Sequence, residues 1–244
     1  MRDTKPFRGW LLRGAAVAIV SFVVTGAEAA SPGISGTSFT LSASAGYTSQ
    51  PDGTSVYTWG YGCANGFTPT FRPTTIAGAG CPTMQLPGPT LIVTEGQTIS
   101  VTLTNNLPRA AGNTSILFPG FTVSTSGGAP GLLTQEAANG GSVTYTFSTS
   151  GKAGTHAYYS GTRGDVQVEM GMYGALIVLP SSIPAICNNT SNDAARAADR
   201  GNGAHQDFRL ANAAYNHPSA CYDREYLFQF SEIDAGRTGC RLPT

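Results

Sequence analysis

The sequence has 244 residues, with 14 basic and 14 acidic side chains and a charged fraction of only 11%. It has no acidic tail and no basic patch with interleaved aromatic residues, so nucleic-acid binding has no support. Frequent Gly, Thr, Ser, Val and Tyr favour a β-rich extracytoplasmic protein over a helical cytosolic one.

Residues 1–29 are predicted to form a secretory signal peptide. Basic residues come first, Ala15 to Val24 is apolar, and Ala27 to Ala29 supplies the small residues that a signal peptidase reads. The apolar stretch is shorter than the roughly 20 residues that span a bilayer, which disfavours an uncleaved membrane anchor. Cleavage removes four basic and two acidic residues from 14 of each, leaving 10 basic, 12 acidic and a net charge of −2. We therefore expect an exported protein, periplasmic or extracellular, that does not contact the membrane after cleavage.

Five cysteines would meet an oxidising compartment after export. Four of them bracket two loop-rich segments, so the simplest connectivity pairs Cys63 with Cys81 and Cys187 with Cys221. Sequence alone leaves other pairings open. Cys240 is left over. No cysteine lies in a CxxC motif or near a histidine at metal-ligand spacing, which disfavours zinc and blue-copper sites.

Short strands are predicted along most of the chain. The first two, Ser38–Ala45 and Thr54–Tyr61, precede a Gly- and Pro-rich loop over 62–88. Beyond the loop, apolar runs or alternating apolar and polar residues predict further strands. These lie at Thr90–Val93, around Ile99, Val101 and Leu103, at Ser115–Gly120, around Val143, Tyr145 and Phe147, from Gly154, and at Ala175–Val178.

Four of these stretches, in this order and spacing, resemble the first plastocyanin-like domain of the multicopper oxidase family. They are PGPTLIVTEGQTISVTLTNNLP (87–108), SILFPG (115–120), VTYTF (143–147) and GTHAYYSGTRGDVQVEMGMYGALIVLP (154–180). The resemblance covers roughly Pro87 to Pro180, with weaker support for 35–86. It implies an all-β, cupredoxin-like (plastocyanin-like) Greek-key β-sandwich. It also implies the N-terminal domain of an exported bacterial enzyme that oxidises its substrate with copper and reduces oxygen.

The family's copper ligands are missing from the matching positions. The resemblance implies two His-x-His pairs for a copper cluster, but Leu117, Pro119, Tyr159 and Gly161 occupy those four positions. Copper is therefore implied for the family only. We expect no copper on this chain, no catalytic residue in it, and no enzyme activity from it alone.

Other residues offer weaker alternatives. The three histidines are expected to be an ordinary strand residue, His156, and two solvated residues, His205 and His217. Met170 and Met172 could bind Cu(I) as thioethers, but core packing is the usual role of methionine. The carboxylates are Asp165, Glu169, Glu225, Glu232 and Asp234, and their spacing does not indicate a hydrolytic site.

The predicted organisation has a plastocyanin-like domain over 30–184 and a loop-rich excursion over 185–222. Residues 223–244, with a strand at Tyr226–Phe230, resemble the start of a second, missing domain of the same type. The alternative is that this strand completes the single domain. Two functional hypotheses follow. The chain is a structural domain whose partners are further cupredoxin domains of a longer protein or a homologous chain, or it is a stand-alone interaction module.

Overall fold

The computed structural model describes residues 31–73, 80–188, 210–222 and 225–232. The predicted signal peptide, residues 1–29, lies outside these ranges, as do His205, Cys240 and Asp234. Within the described part of the chain, no helix has the length and apolar character needed to cross a membrane.

Ten strands form two five-stranded sheets. The first sheet has the order β11 (Gly154–Tyr159), β12 (Tyr173–Leu179), β5 (Leu91–Thr94), β1 (Gly33–Ser35) and β4 (Thr70–Arg72). The second has the order β3 (Ser55–Cys63), β2 (Ser38–Ser49), β6 (Thr98–Asn105), β10 (Ser142–Ser148) and β7 (Val123–Gly127). The described chain also has a small hairpin, β8 (Ala129–Pro130) and β9 (Gln135–Glu136), and a one-turn helix, α1 (Gly164–Gln167). Three short 3-10 helices lie at Arg109–Ala111, Ala185–Asn188 and Pro218–Ala220.

The core lies between the inner faces of the two sheets. In β6, Ile99, Val101 and Leu103 point inward, and each is fully buried. Their partners across the ladder on β10 are also apolar, for example Tyr145 opposite Val101. On the outer face, Thr102 and Thr144 share a hydrogen bond of 2.9 Å between their hydroxyls, as expected for a half-solvated sheet.

The chain crosses repeatedly between the sheets. Strand β1 lies in the first sheet, β2 and β3 in the second, β4 and β5 in the first, and β6 in the second. These crossings place β2 parallel to β6, and β5 parallel to both β1 and β12. The predicted all-β Greek-key sandwich is confirmed.

The loop before β5 packs on the outer face of β3. Two glycines make this approach possible, because a Cβ on Gly60 would lie 2.4 Å from the Gln85 carbonyl oxygen and one on Gly62 would lie 2.2 Å from that of Pro82. The predicted disulfide between Cys63 and Cys81 is present, with a Cα–Cα distance of 5.5 Å, and it fixes the start of this loop.

The predicted excursion packs on the outer face of the first sheet where it is described. The second predicted disulfide, Cys187–Cys221, is present with a Cα–Cα distance of 5.2 Å. Ile177 of β12 and Tyr215 line one cleft between the sheet and the excursion. The continuous apolar run of β12 is therefore explained, since both faces of that strand are covered.

Two predicted strands are wrong. Ser115–Gly120 forms only a single bridge, because Pro119 has no N–H and Gly120 turns the chain at φ 87°. Tyr226–Phe230 has no ladder partner among the described strands. Its side chains alternate between exposed and half-buried as in a strand, but no other described strand lies beside it to form a ladder.

Candidate functional site

Three of the four positions predicted to correspond to the family's copper ligands, Leu117, Tyr159 and Gly161, lie close together at one edge of the first sheet. Leu117 and Tyr159 form an antiparallel bridge. The Leu117 N–H donates to the Tyr159 carbonyl at 2.8 Å, and the Tyr159 N–H donates to the Leu117 carbonyl at 3.3 Å. Gly161 lies two residues beyond the end of β11, whereas Pro119 is exposed at the turn after the bridge.

Strand alternation decides which way these side chains point. Ile116, Phe118 and Tyr158 are buried in the core, at 1%, 4% and 0% exposure. Leu117 and Tyr159 alternate with them and are half-buried on the opposite face. Leu117 and Tyr159 therefore lie on one face, and that face points away from the core.

The Leu117 side chain occupies the space beside Gly161. A Cβ on Gly161 would lie 2.7, 2.9 and 3.0 Å from Cγ, Cδ2 and Cδ1 of Leu117. Real Cβ atoms essentially never approach other heavy atoms closer than 3.0 Å, so no side chain fits at position 161 unless Leu117 moves. We call this contact the Leu117–Gly161 interlock.

Copper does not fit these residues. Leu117, Pro119 and Gly161 have no side-chain donor atom, and Tyr159 has only a phenol, whereas the family's site needs imidazoles. The interlock also fills space that a larger side chain would need. Across the ranges that the structure describes, no group of three or more His, Cys, Asp or Glu side chains is arranged to hold a metal ion.

His156 does not join the bridged positions. Its ring packs edge-on against Phe121, with 4.8 Å between ring centroids. Its Nε2 lies 2.9 Å from the Lys152 carbonyl oxygen, which engages one ring nitrogen. His217 is an exposed residue whose Nδ1 accepts from the Ser219 N–H at 3.1 Å.

The two methionines pack with the core. Met172 is fully buried, and its sulfur lies 3.9 Å from the Thr114 hydroxyl oxygen. Met170 is partly buried against the same cluster. Their surroundings are those of side chains that fill gaps in an apolar interior.

Behind the interlock lies a buried polar network that sequence reasoning missed. Gln167 of α1 is fully buried, and its Oε1 accepts from the hydroxyls of Ser160 at 2.6 Å and Thr114 at 2.9 Å. Its Nε2 donates to the Asn113 carbonyl at 2.8 Å. These three hydrogen bonds tie α1 to the bridged segment through neutral groups. No local pattern identifies Gln167, because its partners are 7 to 54 residues away in sequence.

The polar network reaches the interlock through Ser115. The Gly161 N–H donates to Ser115 Oγ at 3.2 Å, and the Ser115 and Thr162 hydroxyls lie 2.8 Å apart. Thr162 in turn donates to a Glu136 carboxylate oxygen at 2.8 Å. These bonds hold the backbone of residue 161 in place. If a side chain were added at position 161, the Leu117 side chain would therefore have to move.

Three buried tyrosines surround the same region of the core. Tyr61 donates to the Ser115 carbonyl at 2.6 Å, Tyr145 to Gln135 at 2.8 Å, and Tyr158 to Pro89 at 2.7 Å. Burial raises the pKa of each phenol above its ordinary value of 10.0, most clearly for Tyr61 and Tyr158. At neutral pH they act as hydrogen-bond donors to carbonyls, which is a structural role.

One carboxylate singled out from the sequence, Glu225, has structural partners. The carboxylate of Glu225 accepts from the N–H groups of Ser31 at 3.0 Å and Leu210 at 3.3 Å, and from the Tyr222 hydroxyl at 2.7 Å. Asp165 is exposed in the first turn of α1. Its three hydrogen bonds give Glu225 a structural role.

Comparison with known proteins confirms the predicted resemblance. Residues 81–182 match the family model described as multicopper oxidase. The confirmed sandwich is thus of the cupredoxin type. Laccase-24 of Oryza sativa subsp. japonica is 37% identical over 102 residues, which cover 39% of this chain and 16% of that protein. The chain spans less than a fifth of the length of the rice relatives it matches.

Solved structures of similar fold include multicopper oxidases. The multicopper oxidase from Pseudomonas thermotolerans is 20% identical, with a TM-score of 0.46 over 62% of this chain and 31% of that chain. The enzyme from Campylobacter jejuni, a metallo-oxidase, is 19% identical, with a TM-score of 0.44 over 62% of this chain and 27% of that chain.

Proposed function

We propose that this chain is a structural cupredoxin domain of an exported, multicopper-oxidase-like protein, and that it holds no copper at positions 117, 119, 159 and 161. The observation that carries the proposal is the Leu117–Gly161 interlock. Loss of the histidines alone would leave an empty site, whereas here an apolar side chain fills the space and a buried polar network supports it.

Copper-dependent oxidation coupled to oxygen reduction belongs, in this proposal, to a longer protein or assembly. The family match supports it, since residues 81–182 correspond to only a small part of the rice relatives. The partners would be further cupredoxin domains, in the same longer protein or in a homologous chain. This domain would then position its neighbours without taking part in electron transfer.

Export is supported by two observations. The N-terminal residues have the order of a signal peptide, with basic residues, an apolar stretch and small residues at the cleavage site. Both disulfides of the described chain close loops, as expected for a protein that folds in an oxidising compartment. We propose the periplasm or the extracellular space as its location.

Metal analysis tests the copper part of this proposal. The purified chain is incubated with Cu(II) or Cu(I) and desalted, and its copper is then counted by elemental analysis and spin resonance. We expect well under one copper per chain. The double variant His156→Gln with Met170→Leu, which keeps side-chain volume, should bind no less than the parent. About one copper per chain, lost in the double variant, would replace the proposal with a functional site at these residues.

A stand-alone interaction module is the second candidate function. It is favoured by the way residues 225–232 attach to the sandwich, through Glu225 at one end and a hydroxyl contact between Ser231 and Tyr173 at the other. A monomeric or discretely oligomeric chain with one cooperative melting transition would support this candidate. Aggregation of the isolated chain would favour a domain that needs its neighbours.

A further inference from the structure

The Glu225 carboxylate lies where the first and the last described segments of the chain meet. Its Oε1 accepts from the Ser31 N–H at 3.0 Å and from the Leu210 N–H at 3.3 Å, and its Oε2 accepts from the Tyr222 hydroxyl at 2.7 Å. Ser31 is only 5% exposed. One carboxylate therefore connects the start of the sandwich to the excursion and to residues 225–232.

These three partners of Glu225 are neutral groups. An ionised carboxylate can accept about four hydrogen bonds, so Oε2 keeps an acceptor site beyond the one that Tyr222 uses. Ser31 and Glu225 also line an open cleft of about 470 Å³ beside β12, so a further donor can approach from that side. Hydrogen bonds from a cation to a carboxylate are roughly twice as strong as those between neutral groups. The site is therefore suited to one cationic donor close to Ser31.

The predicted cleavage of the signal peptide creates such a donor. Hydrolysis of the Ala29–Ala30 peptide bond by a signal peptidase consumes one water and leaves a carboxylate on Ala29 and, with the transferred proton, an ammonium group on Ala30. Free α-amino groups are mostly protonated at neutral pH. One residue spans at most about 3.6 Å, so this ammonium group lies within that distance of the Ser31 nitrogen and within reach of Glu225.

We propose that Glu225 binds the α-ammonium group of Ala30 that removal of the signal peptide creates. Before cleavage the same nitrogen is a neutral peptide N–H, so the ion pair exists only in the processed chain. It strengthens the attachment of Leu210 and of residues 225–232 to the sandwich, because the same carboxylate holds them. The inference rests on the proposed export, but the Glu225 site can be tested apart from it.

Processed chains with defined N-termini test the ion pair. A site-specific protease releases either residues 30–244 or the same chain preceded by Gly-Ser, which moves the ammonium group two residues away. Urea denaturation compares the two chains in the parent and in Glu225→Gln, which keeps side-chain volume and a carbonyl acceptor. We expect the extension to lower the folding equilibrium constant at least about fivefold in the parent and less than about twofold in Glu225→Gln.

Glu232→Gln is the matched control, because Glu232 is an exposed carboxylate at the other end of the same segment. It should leave the effect of the extension unchanged. Acylation of the α-amine at pH 7, followed by peptide mapping, is a second measurement. Acylation should be at least about threefold slower in the parent than in Glu225→Gln, since a nearby carboxylate keeps the amine protonated and unreactive.

An extension effect of equal size in the parent and in Glu225→Gln, or equal acylation rates, would overturn the Glu225 site. Mass spectrometry of the exported chain tests the export step separately, and we expect Ala30 to be its first residue. A different first residue would place no ammonium group next to Ser31 and would overturn the coupling to export, whatever the two defined chains show.

Discussion

Gly161→Ala tests whether Leu117 holds the space that a side chain at position 161 would need. The added Cβ would lie 2.7 Å from Leu117 Cγ and 3.0 Å or less from both its methyl carbons. The Gly161 backbone cannot easily retreat, because its N–H is bonded to Ser115. Leu117 must therefore turn outward or the strands must separate.

The expected cost follows from the cost of overpacking. An extra methyl group in a packed interior costs about 1–3 kcal/mol, and we expect about 1–2 kcal/mol here because half-buried Leu117 can partly move into solvent. For a domain of this size, that corresponds to a fall in melting temperature of roughly 2–8 °C. Urea denaturation gives the same change as a free-energy difference.

The double variant Leu117→Ala with Gly161→Ala supplies the decisive comparison. Leu117→Ala alone removes half-buried apolar contacts, but it also vacates the space beside position 161. The Gly161→Ala substitution should then cost little, which gives a coupling of at least about 1 kcal/mol in a double-mutant cycle. Additive effects would refute the interlock as the reason for a glycine at this position.

Gly164→Ala is the matched control for the backbone effect of replacing glycine by alanine. A Cβ at Gly164 would meet no atom within 4 Å. Stability should stay the same or rise by up to about 1 kcal/mol. A loss like that of Gly161→Ala would show that the glycine backbone, and not Leu117, explains the first result.

Two further predictions concern the core and the loop that packs on β3. Because burial raises the pKa of Tyr61, Tyr145 and Tyr158 above 10.0, the unfolded chain loses these protons first, so stability should fall as pH rises above about 10. Each phenol lowers the free energy of unfolding by up to about 1.4 kcal/mol for each pH unit in this range. Tyr158→Phe should therefore make the fall in stability with pH shallower by that amount, as measured by urea denaturation at several pH values. An unchanged slope would contradict this prediction. Gly62→Ala should cost about 3 kcal/mol in the same assay, because its Cβ would meet the backbone of residues 82–84 at 2.2–2.5 Å beside the Cys63–Cys81 disulfide. A loss below about 1 kcal/mol would mean that the loop can move despite the disulfide.

Much of the fold was predictable because its signals are local. Alternation in β6 and β10 fixes which side chains face the core, and the structure pairs Ile99 with Phe147 and Leu103 with Val143 as that pattern requires. Four cysteines that bracket two loops predicted both disulfides. Strand alternation depends only on neighbouring residues, and the disulfides follow from pairing the cysteines at the two ends of each loop. Neither prediction required knowledge of tertiary contacts.

The candidate site was predictable only in part. The motif order placed Leu117, Tyr159 and Gly161 at matching positions, and their residue types alone argued against copper. That Leu117 fills the space beside Gly161 depends on a contact between residues 44 apart in sequence, which the pattern of neither strand records. The Gln167 network also depends on contacts between remote segments, so the sequence did not reveal it. Whether Tyr226–Phe230 pairs with another strand depends on remote segments too, and a strand was wrongly predicted there.

The sequence by itself determined the β-sandwich, its family resemblance and the absence of histidines from the ligand positions, since each is written in residue types and spacing. Only the tertiary structure decided that Leu117 fills the space beside Gly161 and where residues 225–232 attach to the sandwich. Both depend on distances between segments remote in sequence: Leu117 against Gly161, and Glu225 against Ser31.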